Sequence, residues 1–150
     1  MRPLQLKLTG INSYREEQII DFETLTSQGL FGIFGPTGSG KSSILDAMTL
    51  ALYAKLPRDT KNFINTNEKK ANVSFLFSIT TDKTRKYLAE RSFRYHTGNN
   101  ASTVRNTTGR LILYEGDTET VLADKPTEVT NECIRLLGLT SEDFMRTVVL

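Results

Sequence analysis

The stretch Gly35-Pro36-Thr37-Gly38-Ser39-Gly40-Lys41-Ser42 decides the fold. It obeys the pattern of a glycine, four residues, then Gly-Lys-Ser/Thr, which arises by chance in roughly one chain of this length in two hundred. The sequence changes character on either side of it. Before it runs Gly29-Leu30-Phe31-Gly32-Ile33-Phe34, a short apolar segment of the kind expected of a strand buried on both faces. After it, Ile44, Leu45, Met48, Ala51 and Leu52 recur at helical spacing, Leu50 and Ala54 widen the stripe, and Pro57 predicts a stop near Leu56. Strand, glycine-rich loop and helix in that order predict a P-loop.

The residue types explain what such a loop does. Glycines at 35, 38 and 40 allow backbone angles closed to other residues, so that successive N–H groups can converge as a concave nest. The first-turn N–H groups of the following helix have no carbonyl partners and carry the positive end of its dipole, which favours an anion. Lys41 is placed to reach the β and γ phosphates of a nucleoside triphosphate, and the Ser42 hydroxyl to ligate Mg²⁺. The candidate nucleotide-binding set is Gly35, Pro36, Thr37, Gly38, Ser39, Gly40, Lys41, Ser42 and Ser43, with Ser42 as the metal ligand. Asp46, four residues after Ser42, suits either an indirect role in the Mg²⁺ shell or a partner for Lys or Arg elsewhere.

Outward from the loop, Leu4, Leu6 and Leu8 alternate with polar residues, and Ile19-Ile20-Asp21-Phe22 can pair with them after the turn at Gly10–Tyr14. Residues 58–70 are polar, carry an Asn62, Asn65, Asn67 cluster, and read as a surface loop. Val73, Phe75, Phe77 and Ile79 alternate, Thr80–Lys83 reads as a turn, and Tyr87, Ala89, Phe93 and Tyr95 share one face of the next strand. His96–Gly109 has the Gly, Asn, Ser and Thr content of a mobile loop, and short strands follow at Leu111–Tyr114 and Val121–Leu122. An antiparallel β-meander over about 72–122 results. Val129, Cys133, Leu136 and Leu137 mark a helix over about 126–137, begun by Pro126 and ended by Gly138. Thr140 and Asp143 can cap a last helix, about 141–149, whose apolar positions are Phe144, Val148 and Val149. An apolar end at Leu150 without a cap reads as a fragment of a longer protein.

Bulk properties narrow the class. With 38% apolar and 24% charged residues in 150, the chain suits one globular domain and not a disordered segment. The N-terminus lacks a signal-type apolar core, and no stretch approaches the 18 apolar residues of a spanning helix. The one cysteine, Cys133, falls at helical apolar spacing, so a buried thiol and a cytoplasmic location are expected. His96 is the single histidine, which leaves no His-based metal cluster or nucleophile to build. Net charge is +2, yet Lys83, Arg85, Lys86, Arg91, Arg94, Arg105 and Arg110 face only Glu90 in 83–110. That segment suits contact with DNA phosphates, or an ordinary solvated face.

Several stretches together carry a family resemblance. Residues 35–47 (GPTGSGKSSILDA), Ala51-Leu52-Tyr53, Pro57-Arg58, Leu8-Thr9-Gly10-Ile11-Asn12-Ser13-Tyr14, Leu122-Ala123-Asp124-Lys125 and Phe144-Met145-Arg146 resemble, in register, the SbcC family, relatives of the structural-maintenance-of-chromosomes ATPases. The resemblance implies an α/β P-loop NTPase of the ABC type, with this chain as the N-terminal half of the head, built on a central P-loop helix and an antiparallel meander. It implies ATP and Mg²⁺ as cofactors and places Asn12 and Ser13 near the base or ribose. It implies as partners the SbcD nuclease, the C-terminal half of the same head, a second head and DNA. The coiled coil, Walker B, signature and Q-loop residues would lie outside this chain, which leaves no catalytic residue to assign within it. Two other readings stand beside this one. One is a DNA-binding or scaffolding switch with little turnover. The other is a small P-loop kinase, which the antiparallel meander disfavours because kinases continue into parallel βα units.

Overall fold

The computed structural model describes residues 1–26, 32–56, 62–97 and 102–148, apart from the side chains of residues 102, 147 and 148. Pro57–Lys61, the start of the apolar run at Gly29–Phe31, and the last apolar positions Val148 to Leu150 therefore lie, wholly or in their side chains, outside what is described.

Six strands form one sheet in the order β2-β1-β3-β4-β5-β6, every pair antiparallel: β1 (Arg2–Thr9), β2 (Gln18–Asp21), β3 (Lys70–Thr80), β4 (Thr84–Thr97), β5 (Ser102–Glu115) and β6 (Thr118–Ala123). The period-two pattern explains the sheet's two faces. Leu4, Leu6 and Leu8 of β1, Ala71, Val73, Phe75 and Phe77 of β3, and Tyr87, Ala89 and Phe93 of β4 are all buried on one side. Against that side pack α2 (Lys41–Tyr53) and α3 (Pro126–Leu137), with α4 (Ser141–Val148) behind α2 and the single-turn α1 (Phe22–Leu25) beside β1. The P-loop helix is buried almost all round, from Ser43 to Tyr53. Pro126 opens α3, and Gly138 closes it in the left-handed conformation. Thr140 and Asp143 form a reciprocal cap at α4: the Thr140 hydroxyl donates to Asp143 Oδ2 at 2.6 Å while accepting from the Asp143 N–H at 3.2 Å.

Three expectations need correction. His96–Gly109 is not a loop: β4 runs to Thr97 and β5 starts at Ser102, so the polar stretch is a two-stranded ribbon, with 98–101 outside the described residues. Composition misleads here because ladder hydrogen bonds between neighbouring strands hold a stretch in which Val104 alone packs an apolar side chain against the core, among the described residues. In the surface loop over 58–70, Phe63 and Ile64 are buried, and Ile64 bridges Ile11. The apolar run before the P-loop is no strand where described: Ile33 is 39% and Phe34 91% exposed. A strand buried on both faces needs strands beside it and layers above and below. All six strands of the described sheet pair only with one another, so none of them flanks residues 32–34.

Candidate functional site

The P-loop closes onto the start of α2. Gly40 is the N-cap of that helix with φ +90, and Gly38 has φ +85; both angles disfavour a side chain. Space excludes one at Gly40 as well, since a Cβ there would lie 2.7 Å from Tyr14 Oη. The loop is braced from within by Ser39 N donating to Pro36 O at 3.2 Å and Ser43 N to Gly40 O at 3.0 Å. The Lys41 ammonium lies across the loop and donates to Gly35 O at 2.5 Å, Pro36 O at 2.7 Å and Ser39 Oγ at 3.4 Å. A cation is thereby held at the N-terminus of α2, the positive end of the helix dipole, which concentrates positive potential at one point.

Beside the loop opens a cleft of about 420 Å³ lined by Asn12, Ser13, Thr37, Gly38, Gly40, Lys41, Ser42 and Ser43. Asn12 and Ser13, some thirty residues away in sequence, thus line the same cleft. Asn12 sits in the left-handed region at φ +50, a conformation asparagine tolerates, and its Nδ2 donates to Ser43 Oγ at 2.9 Å. Gly35, Pro36 and Ser39 stand behind the cleft as partners of Lys41. Ser42 is exposed and lines the cleft beside Lys41.

The basic segment does not act as one surface. Arg91 points inward and is 2% exposed. Its guanidinium donates to Ala51 O, Leu52 O, Pro126 O and Thr130 Oγ1 at 2.8–3.0 Å, tying the end of α2 to the start of α3. Burial pushes its pKa down to about 10, which leaves it charged at neutral pH. Arg91 is therefore withdrawn as a surface cation. Lys83 and Arg85 are paired with Glu115, and Arg110 with Glu119. Arg94 and Arg105 are exposed and sit directly opposite each other on β4 and β5, and Lys70 sits opposite Arg94 on β3. Three cations in one cross-strand row repel, and no ion pair among the described residues involves them. Lys70 escapes a sequence reading because it lies outside the basic run and joins it only through strand pairing.

A nucleotide-sized cleft at the junction of a glycine-rich loop and a buried helix, backed by a sheet, defines an α/β P-loop nucleotide-binding domain. The chain belongs to the AAA domain family, whose model matches residues 5–142. It is similar over its whole length to the SbcC component of the SbcCD nuclease from two bacteria, 45% identical over 150 residues in Clostridium acetobutylicum and 49% over 153 in Bacillus subtilis. It is 34% identical over 155 residues to the "Probable DNA double-strand break repair Rad50 ATPase" of Aquifex aeolicus. The chain covers 13%, 13% and 14% of those proteins' lengths, so it corresponds to a small part of each. Among the described residues no helix is long and apolar enough to cross a membrane.

Proposed function

We propose that this chain is the ATP-binding part of an ATPase that works with a nuclease in DNA-end processing and repair. The observation that carries the reading is the cleft itself: P-loop, Lys41, Ser42 and the Asn12–Ser13 wall converge on one space. Its residues suit a triphosphate held by loop amides and Lys41, with Mg²⁺ on Ser42 and the phosphates. The site Gly35 to Ser43 with Asn12 and Ser13 binds and orients; turnover needs a group that positions water, which the remainder of the protein supplies. The C-terminal half of the head, a second head and an SbcD-type nuclease are the partners, in the cytoplasm. Similarity to the SbcC component of a nuclease at 45–49% identity supports this reading.

DNA is the other partner. The unpaired row Lys70, Arg94 and Arg105 suits a phosphate backbone, which would relieve the repulsion among the three. The test is ATP turnover and duplex binding by the intact protein at several salt concentrations. Lys41→Ala should abolish turnover, and the log of the DNA binding constant should fall with log salt by about 0.9 per phosphate neutralised. Arg94→Glu with Arg105→Glu should flatten that slope. Turnover that survives Lys41→Ala, or phosphoryl transfer to an acceptor other than water, would overturn the reading. A DNA-binding switch would instead show the salt slope with negligible turnover.

A further inference from the structure

Of the asparagines at 62, 65 and 67, Asn65 contacts the turn that carries Asn12. Asn65 reaches the turn that carries Asn12 by two routes: its backbone N–H donates to Gly10 O at 2.9 Å, and its side-chain Nδ2 to Asn12 O at 2.6 Å. Phe63 O accepts the Asn12 N–H at 2.7 Å, so both backbone polar groups of Asn12 are taken by the segment 63–65. Asn65 is fixed in turn, its Oδ1 accepting from Asn67 N at 2.9 Å and its carbonyl from Glu68 N at 2.9 Å. The strap is anchored by the buried side chains of Phe63 and Ile64. From Asn12 the chain of contacts continues through Nδ2 to Ser43 Oγ, in the first turn of α2.

We infer that Asn65 is a positioning residue of the nucleotide site, holding Asn12 in its left-handed conformation so that the Asn12–Ser13 wall meets the sugar and base side of the nucleotide. The inference rests on the nucleotide reading above. The phosphates are taken by the loop nest, Lys41 and Ser42, so whatever follows the α-phosphate leaves along the wall that the loop does not build. Left-handed geometry costs a non-glycine residue energy and persists only where surrounding contacts impose it. Asn65 supplies one of the two backbone contacts that do so at Asn12.

The prediction is a split between ligands. In the intact protein, Asn65→Ala and the near-isosteric Asn65→Asp, which loses the donor to Asn12 O, should weaken ATP binding about fivefold, as one lost hydrogen bond implies. Inorganic triphosphate, which has no sugar or base, should bind both variants within twofold of wild type. Asn12→Ala should give the same split, and Asn12→Ala combined with Asn65→Ala no further loss. Calorimetry with Mg²⁺ present reads all of these. Equal losses for ATP and triphosphate, or no loss for either, would overturn the role. So would wild-type protein that binds triphosphate as tightly as ATP, an outcome that leaves the P-loop reading standing. Wild-type protein that binds neither ligand would remove that reading as well.

Discussion

Replacing Arg91 by methionine removes a buried cation and its hydrogen bonds while keeping a long unbranched side chain in the slot. The guanidinium gives Nε to Ala51 O at 2.8 Å, Nη2 to Leu52 O at 3.0 Å and to Thr130 Oγ1 at 2.9 Å, and Nη1 to Pro126 O at 2.9 Å. Two effects oppose each other on substitution. Burying the charge costs several kcal/mol, and methionine recovers that. Against it stand four hydrogen bonds from a charged donor, each contributing about 1.5–3 kcal/mol. The carbonyls of Ala51 and Leu52 belong to the last turn of α2, where no helical N–H follows, so they lose partners that water cannot replace in the core. The bonds outweigh the desolvation, and the net loss should be about 3–5 kcal/mol. Amide hydrogen exchange read by mass spectrometry measures it locally, in peptides covering the end of α2 and the start of α3. Those amides should exchange about two to four orders of magnitude faster than in wild type. Arg91→Lys, which keeps the charge but cannot fork between two helices, should fall between. Exchange in these peptides within tenfold of wild type would refute the reasoning and make Arg91 an ordinary filler of the core.

In the proposed site Ser42→Ala would delete a metal ligand but no phosphate contact, so isothermal titration should show about a tenfold loss of ATP affinity with Mg²⁺ and little loss in EDTA. Gly40→Ala combines φ +90 with a Cβ 2.7–2.9 Å from Tyr14 Oη, Cζ and Cε2 and should weaken triphosphate binding; Tyr14→Ala in the same protein should restore part of it by removing the colliding ring. Burial pushes the Cys133 thiol up to about 12. Its folded pKa lies above the unfolded value, so the thiol's contribution to stability is complete below about 8.5 and is lost as pH rises towards 12. Iodoacetamide should therefore leave Cys133 unmodified in folded protein at pH 8 and label it promptly in urea.

Arg94 and Arg91 show most clearly what a sequence determines and where it stops. Both are arginines on β4, three residues apart, and alternation alone puts them on opposite faces. Which face is the core depends on α2 and α3, and these cover the side of Tyr87, Ala89 and Phe93, so Arg91 went in and Arg94 stayed out. The P-loop, the buried helix after it, the capped helices α3 and α4 and the antiparallel meander are local matters: turn chemistry, caps and apolar period are written within a few residues of where they act. The same locality brings Gly38, Gly40, Lys41 and Ser42 to one cleft. Tertiary structure alone decided three things. It joined Asn65 to Asn12 across 53 residues and drew residues 96–97 and 102–109 of the polar stretch into strands by ladder bonds. It also left Ile33 and Phe34 open, because burying a strand on both faces takes neighbours that no strand of the described sheet provides. Asn65 and Asn12 meet across 53 residues, and the ladder of the polar ribbon joins backbone groups whatever their side chains, so neither contact leaves a mark in a local pattern of apolar residues.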